Sequence, residues 1–251
     1  MMDENSYIKV EKAFWVDPFQ MIGAVVGIIA VLITIIILVI FQQRKNARRS
    51  ILIMGLSDSG KTLIFSRIFH NRCIQTYTSL KENSGKYLIN NNFLRVIDIP
   101  GHERLCGKFF DQYKTSTKGI IFVVDSVTIQ KKIRDVAELL YNILTDKSFA
   151  SKGNRVLISC NKQDQTMAKG ATVIKSLLEA ELNLLRVTKA KQLNSTEDVA
   201  NSNNYLGVIG KDFKFSHIPL AVEFVECAAM KNEMDAPADI KGIKMWIENI
   251  A

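Results

Sequence analysis

Cysteine is scarce in this chain and never paired in sequence. Its four copies, at positions 73, 106, 160 and 227 of 251 residues, form no C-x-x-C spacing, which argues against a zinc site, a thioredoxin-like redox motif and an extracellular disulfide scaffold. Cys160 and Cys227 close apolar stretches and read as small buried apolar residues. Acidic side chains are outnumbered, 25 Asp and Glu against 33 Lys and Arg, for a net charge of +8. No basic patch interleaved with aromatics accompanies the excess, so direct nucleic-acid readout is not expected. The strongest absence is of charge itself: between Met21 and Phe41 there is none.

Those 21 residues hold fifteen Ile, Leu, Val or Phe and one polar side chain, Thr34, which can bond back to its own helix. A helix of that length rises about 32 Å, against a hydrocarbon core about 30 Å thick. Arg44, Lys45, Arg48 and Arg49 follow the run, while Asp3, Glu4, Glu11 and Asp17 precede it against Lys9 and Lys12. A cleaved signal peptide has its basic residues on the other side and a shorter apolar core. The positive-inside rule therefore places the carboxyl-terminal part in the cytosol. The expected organisation is a short far-side segment over 1–20, a transmembrane helix over 21–41, a basic juxtamembrane linker over 42–50 and one α/β domain over 51–251. From residue 42 onward there are 31 basic and 21 acidic residues, a net +10, suited to an anionic membrane face or an acidic partner. Gln42 to Ser50 can reach no more than about 30 Å, which keeps the domain near the bilayer.

Apolar runs near 51–54, 86–90, 92–98, 120–125, 155–160 and 222–227 read as strands. Amphipathic segments near 61–70, 103–117, 129–145, 168–187 and 238–250 read as helices. Their alternation predicts a doubly wound, mostly parallel sheet. Asn90-Asn91 marks the one hairpin. The Asn-, Ser-, Thr- and Lys-rich stretch from Lys189 to Asn204 predicts a flexible insert, near 188–210 at its widest.

Four motifs sit where strands give way to loops. Gly55-Leu56-Ser57-Asp58-Ser59-Gly60-Lys61-Thr62 matches G-x-x-x-x-G-K-[S/T] between the strand Ile51–Met54 and a helix. Its glycines allow backbone N–H groups to face phosphates, and the helix N-terminus adds about half a positive charge. Lys61 is expected to reach the β- and γ-phosphates, and Thr62 to hold Mg²⁺ through its hydroxyl. Asp98-Ile99-Pro100-Gly101-His102 follows the next apolar run, where Asp98 can hold a magnesium-bound water and the Gly101 amide can meet a γ-phosphate. Asn161-Lys162-Gln163-Asp164 is the most discriminating, because the Asp164 carboxylate can accept two hydrogen bonds from guanine that adenine cannot supply. Asn161 is expected to brace the loops while the Lys162 stem lies along the base. Cys227-Ala228-Ala229 ends the last strand, and the Ala229 amide is the expected contact to the guanine carbonyl. In the loop Thr76 to Ser84, Thr78 is the preferred second magnesium ligand, with Thr76 and Ser79 as competitors.

The four motifs, in this order, resemble those of the Ras-like and Arf-like small GTPases. Within that superfamily the chain is similar to the β-subunit family of the signal recognition particle receptor, in which a single amino-terminal span precedes the GTPase domain. The stretches Thr76-Tyr77-Thr78-Ser79, Asp98 to Glu103, Leu184-Leu185-Arg186-Val187-Thr188 and Val222 to Cys227 carry the likeness alongside the phosphate loop. The resemblance implies bound GTP or GDP with Mg²⁺, a luminal amino terminus and a cytosolic domain on the endoplasmic reticulum. It also implies a heterodimer with the receptor's α subunit for co-translational targeting, with ribosome or translocon reached only indirectly. His102 stands where Ras has a water-positioning Gln, no arginine finger lies nearby, and Ala228 and Met230 depart from the usual Ser-Ala-Lys, so intrinsic turnover is expected to be slow. An Arf-like trafficking GTPase is the alternative; a P-loop ATPase or kinase is disfavoured by Asp164.

Overall fold

The computed structural model describes residues 22, 26–38, 50–71, 79–89, 92–151, 153–195, 205–230 and 238–250. Met1–Ala47 and Arg48–Ala251 are separate compact units. In the first, residues 26–38 are helical with every side chain exposed, and the Thr34 hydroxyl donates to the Val31 carbonyl at 2.7 Å, the expected back-bond. Among the described residues no helix is long and apolar enough to cross a membrane. The ends of the Met21–Phe41 run, and the linker to Arg49, lie outside the described residues.

The second unit is built on six strands: β1 Ser50–Met54, β2 Asn83–Ile89, β3 Asn92–Asp98, β4 Thr117–Asp125, β5 Arg155–Asn161 and β6 Ala221–Glu226. Their order is β2-β3-β1-β4-β5-β6. Only β2 and β3 run antiparallel, with Ile89 opposite Asn92, the register of a two-residue hairpin. The central parallel strands β1, β4 and β5 read as continuous apolar runs because both faces are covered. Leu52 and Met54 point into one core and Ile51 and Ile53 into the other. Two helices, α1 (Lys61–Phe69) and α6 (Lys241–Ile250), cover the second core through Ile64, Ile68, Trp246 and Ile247. The first core is covered by α2 (Glu103–Tyr113), α3 (Ile129–Thr145), the short α4 (Lys147–Ala150) and α5 (Ala171–Ser195).

Several boundaries move from their sequence positions for local reasons. α2 stops at Tyr113 rather than 117 because the Tyr113 carbonyl is taken by the Ser116 amide at 3.0 Å and by the Thr117 hydroxyl at 2.8 Å. β2 begins three residues early, where Asn83 pairs with Asp98. The stretch from Lys189, expected to be a flexible loop, continues α5 to Ser195; residues 196–204 lie outside the described residues. Beyond them Leu206 is buried, so the far side of the expected insert is packed against the core. A helix not foreseen, α4, is started by Asp146, whose carboxylate accepts from the Phe149 amide at 3.0 Å. Phe149 itself is fully buried.

Candidate functional site

The loops leaving β1, β3, β4, β5 and β6 all emerge at the carboxyl edge of the parallel strands. The chain departs from β1 in both directions across the sheet, and a crevice opens at such a switch point. Gly55 leaves β1 with φ 142° and Gly60 enters α1 with φ 95°. Neither position tolerates a side chain: a Cβ on Gly55 would lie 2.3 Å from the Val123 carbonyl oxygen, and one on Gly60 would lie 2.3 Å from Asn161 Nδ2. Asp58, at the exposed tip, is left-handed with φ 64°, a conformation Asp tolerates better than most residues. Within the loop the Leu56 carbonyl accepts from Ser59 Oγ at 2.9 Å and from Lys61 Nζ at 2.7 Å. Burial pushes the Lys61 pKa below its usual value, and the carboxylates of Asp98 and Asp58 only partly offset this.

Asp98 ends β3 fully buried. Its Oδ2 accepts from the Thr62 hydroxyl at 2.8 Å and from Asn83 Nδ2 at 3.1 Å, and its Oδ1 is buried with no hydrogen-bond partner. Burial raises its pKa, and the Asn83 and Thr62 hydrogen bonds and the Lys61 charge only partly offset this. Gly101 lies directly against the phosphate loop, since a Cβ there would approach Lys61 Nζ to 2.5 Å and the Ser57 nitrogen to 2.7 Å. His102 is exposed at the N-cap of α2, where its carbonyl accepts the Leu105 and Cys106 amides. Cys106 is buried beside this loop, its thiol pushed up to about 11 by desolvation. Thr78 and Thr76 fall outside the described residues; Ser79 is half-buried.

Asn161 joins the loops. Its Nδ2 donates to the Ser59 carbonyl at 2.8 Å, and its Oδ1 accepts from the Ala229 amide at 3.1 Å. These bonds link the phosphate loop to the loop after β6. The Ala229 amide, expected at the guanine carbonyl, donates to Asn161 in this structure. The neighbouring amides are also engaged, Cys227 by the Cys160 carbonyl and Ala228 by the Asp239 carbonyl, each at 3.0 Å. Cys160 and Cys227 are buried, with thiols pushed to about 12 chiefly by desolvation, as small apolar residues would be. Asp164 is half-buried, and among the described residues its carboxylate accepts no hydrogen bond.

Four further residues complete the arrangement. Lys162, left-handed with φ 68°, extends to Asp125, where its ammonium sits 2.8 Å from Oδ2. Burial pushes the Asp125 carboxyl up, but hydrogen bonds from Lys162, Val127 and Thr128 outweigh it and hold the group below the ordinary range. Gln163 donates to Ser126 Oγ at 2.9 Å and to the Lys169 carbonyl at 2.8 Å. Asn83 fixes Asp98, and Arg67 donates to the Ala229 carbonyl at 3.1 Å. Asp125 carried a readable signal, a carboxylate closing an apolar run as Asp98 does. Asn83, Gln163 and Arg67 act through contacts that sequence spacing does not reveal.

A six-stranded, mostly parallel sheet with these loops at its carboxyl edge defines a small-GTPase fold of the P-loop class. The sequence profile of the signal recognition particle receptor beta subunit matches residues 46–222, and the chain belongs to that family. The rat signal recognition particle receptor subunit beta is 41% identical over 239 residues, covering 94% of this chain and 88% of the rat protein. A solved structure of the mammalian SRP receptor superposes with a TM-score of 0.70 at 42% identity, covering 81% of this chain and 100% of that one. Human ADP-ribosylation factor-like protein 5A matches at 32% over 125 residues, half of this chain and 68% of its own. The Arf-like alternative is thus a distant relative.

Proposed function

We propose that this chain is the membrane-anchored, GTP-binding subunit of a signal recognition particle receptor, recruiting the α subunit to the endoplasmic reticulum membrane for co-translational targeting. One observation carries the nucleotide part: Asn161 ties the phosphate loop at Ser59 to the loop after β6 at Ala229, beside an Asp164 carboxylate that accepts no hydrogen bond among the described residues. That juxtaposition gives one crevice a phosphate pole and a guanine pole. The residues fit the cofactor. Gly55, Leu56, Ser57, Asp58, Ser59 and Gly60 form a backbone cradle with no room for side chains at its two glycines. Asp98 keeps Oδ1 buried and unpartnered, an oxygen suited to a cation held with Thr62 and with Thr78 as the expected second ligand.

Magnesium, when bound, supplies positive charge to phosphate oxygens at this pole. Lys61 adds its ammonium there, and the close approach of Gly101 allows its amide to report whether a terminal phosphate is present. Asp164 selects guanine because a base without the two N–H donors strands its charge. Lys162, held by Asp125, lays its stem along one side of the base. His102, exposed at the N-cap of α2, is the side chain expected to orient a water near that phosphate; slow turnover suits a receptor that holds GTP while engaged.

The membrane part rests on Met21–Phe41 and its basic carboxyl flank, the partner part on the family. The test is capture of the purified α subunit by the full-length chain in detergent micelles with GTP, GDP or no nucleotide. Tighter capture with GTP is expected. Moving a loop equilibrium from 1:99 to 99:1 needs about 5.5 kcal/mol of differential binding, and equal capture in all three states would reduce the nucleotide to a structural ligand.

A further inference from the structure

Arg67 is 2% exposed, a depth at which arginine is rare unless paired, yet among the described residues no carboxylate pairs with it. Its Nε donates to the Ala229 carbonyl and its Nη1 to the Asn71 carbonyl, both at 3.1 Å, while Nη2 is buried without a partner. The Asn71 bond has an ordinary purpose, because that carbonyl lies just beyond the end of α1. The Ala229 bond reaches 162 residues along the chain, to the loop that follows β6. There the Ala229 amide already donates to Asn161 Oδ1, Asn161 Nδ2 donates to the Ser59 carbonyl, and Ser59 leads through Gly60 back into α1. Arg67 therefore closes a circuit of buried hydrogen bonds around the candidate site. The circuit also fixes the loop bearing Asp164, since the Gln163 amide donates to the Cys227 carbonyl at 3.2 Å.

We propose that Arg67 is a positioning residue of the guanine pole: from the second turn of α1 it holds Ala229, and through Ala229 the Asn161 carboxamide, at a fixed distance from the phosphate loop. The inference rests on the guanine-site reading above. A carboxamide can rotate, and the Ala229 amide at 3.1 Å, with the Cys227 thiol at 3.5 Å, holds Oδ1 so that Nδ2 meets Ser59. Removing Arg67 leaves the Ala229 carbonyl without its donor, slackens the loop after β6, and lets Asn161 and the adjacent Asp164 drift from the orientation that grips a base. Phosphate-loop geometry, set by Gly55, Gly60 and the Leu56 carbonyl, does not depend on it.

The experiment uses the full-length chain in detergent micelles, comparing wild type, R67M, R67K and D164N for release of a fluorescent GDP, with amide exchange and melting followed in parallel. R67M should release GDP roughly tenfold faster or more, the size expected for a hydrogen bond from a charged donor. Exchange should rise in residues 227–230 and not in β4. R67K, which keeps one donor, should fall between R67M and wild type. Release from R67M at the wild-type rate while D164N releases faster overturns the role of Arg67 alone; wild-type release from D164N overturns the guanine-site reading beneath it. Faster release accompanied by equal loosening of β4 and β5 assigns Arg67 to the fold only and overturns the proposal. Where R67M does not fold, R67K decides in the same way.

Discussion

Asp98 and Asp164 are carboxylates put to opposite uses by their surroundings. Asp98 is sealed in, and burial raises its pKa despite Asn83, Thr62 and Lys61. An acid whose folded pKa lies above its unfolded one favours the fold below the ordinary carboxylate range, and that contribution is lost as pH rises through the raised value. At neutral pH the ionised group therefore weakens the metal-free fold. D98N should raise the melting temperature of the nucleotide- and metal-free protein at pH 7 by about 2–4 °C, the shift that ~1 kcal/mol gives a domain of this size. It should also abolish the magnesium dependence of nucleotide binding. Scanning calorimetry from pH 5 to 8 with and without Mg²⁺ checks both, and a lower melting point at pH 7 would contradict the burial argument. Asp164, half-buried and accepting no hydrogen bond among the described residues, is left with its charge for the proposed guanine contact. D164N should weaken GTP by at least tenfold and favour xanthosine triphosphate, whose added carbonyl suits an amide donor. Competition binding reads the exchange, and unchanged GTP affinity would remove Asp164 from the base site.

Among the elements, α5 shows how one side chain organises a loop. Arg186 is buried on its core-facing side. Its guanidinium lies 5.2 Å from the Tyr205 ring centre and donates to the carbonyls of Leu206, Val208 and Lys211. That explains the Leu184–Thr188 stretch as an anchor for the chain's return after residues 196–204. R186A leaves those carbonyls without a buried donor, at a cost of roughly 3 kcal/mol. Limited proteolysis should cut residues 205–213 faster while GDP affinity changes less than twofold; unaltered cleavage would show that Phe213 and Phe215 hold the loop by themselves. Strands were legible because parallel pairing buries both faces and leaves unbroken apolar runs, as in Ile120 to Val124. α1 and α3 were legible from amphipathic spacing. The extension of α5 beyond Val187 was hidden because Lys189, Lys191 and Asn194 are compatible with an exposed helix as well as a loop. Phosphate-loop and Asp164 positions came from spacing alone, whereas Asn83, Arg67 and the engaged Ala229 amide depend on contacts between residues far apart in sequence.

For the whole molecule, the proposed orientation rests on charge rather than on contacts. The uncharged run Met21–Phe41 separates an acidic amino-terminal segment from Arg44, Lys45, Arg48 and Arg49, and the chain from residue 42 onward, that flank included, carries a net +10 from 31 basic and 21 acidic residues. Translocating that domain would mean moving the basic flank across first, which the positive-inside bias opposes. An anionic cytosolic leaflet attracts the same flank, by about 1 kcal/mol for each Lys or Arg near the surface. On the proposed membrane-anchored reading, the four residues after the run therefore favour a cytosolic domain. Protease added to sealed microsomes should digest residues 42–251 and leave a small protected fragment containing 1–41. Replacing all four flanking cations with Glu removes that preference and should yield a fraction of chains with the large domain protected. A domain protected in the wild-type chain would place the nucleotide site on the luminal side, away from the cytosolic GTP pool, and the receptor reading would fail with the topology.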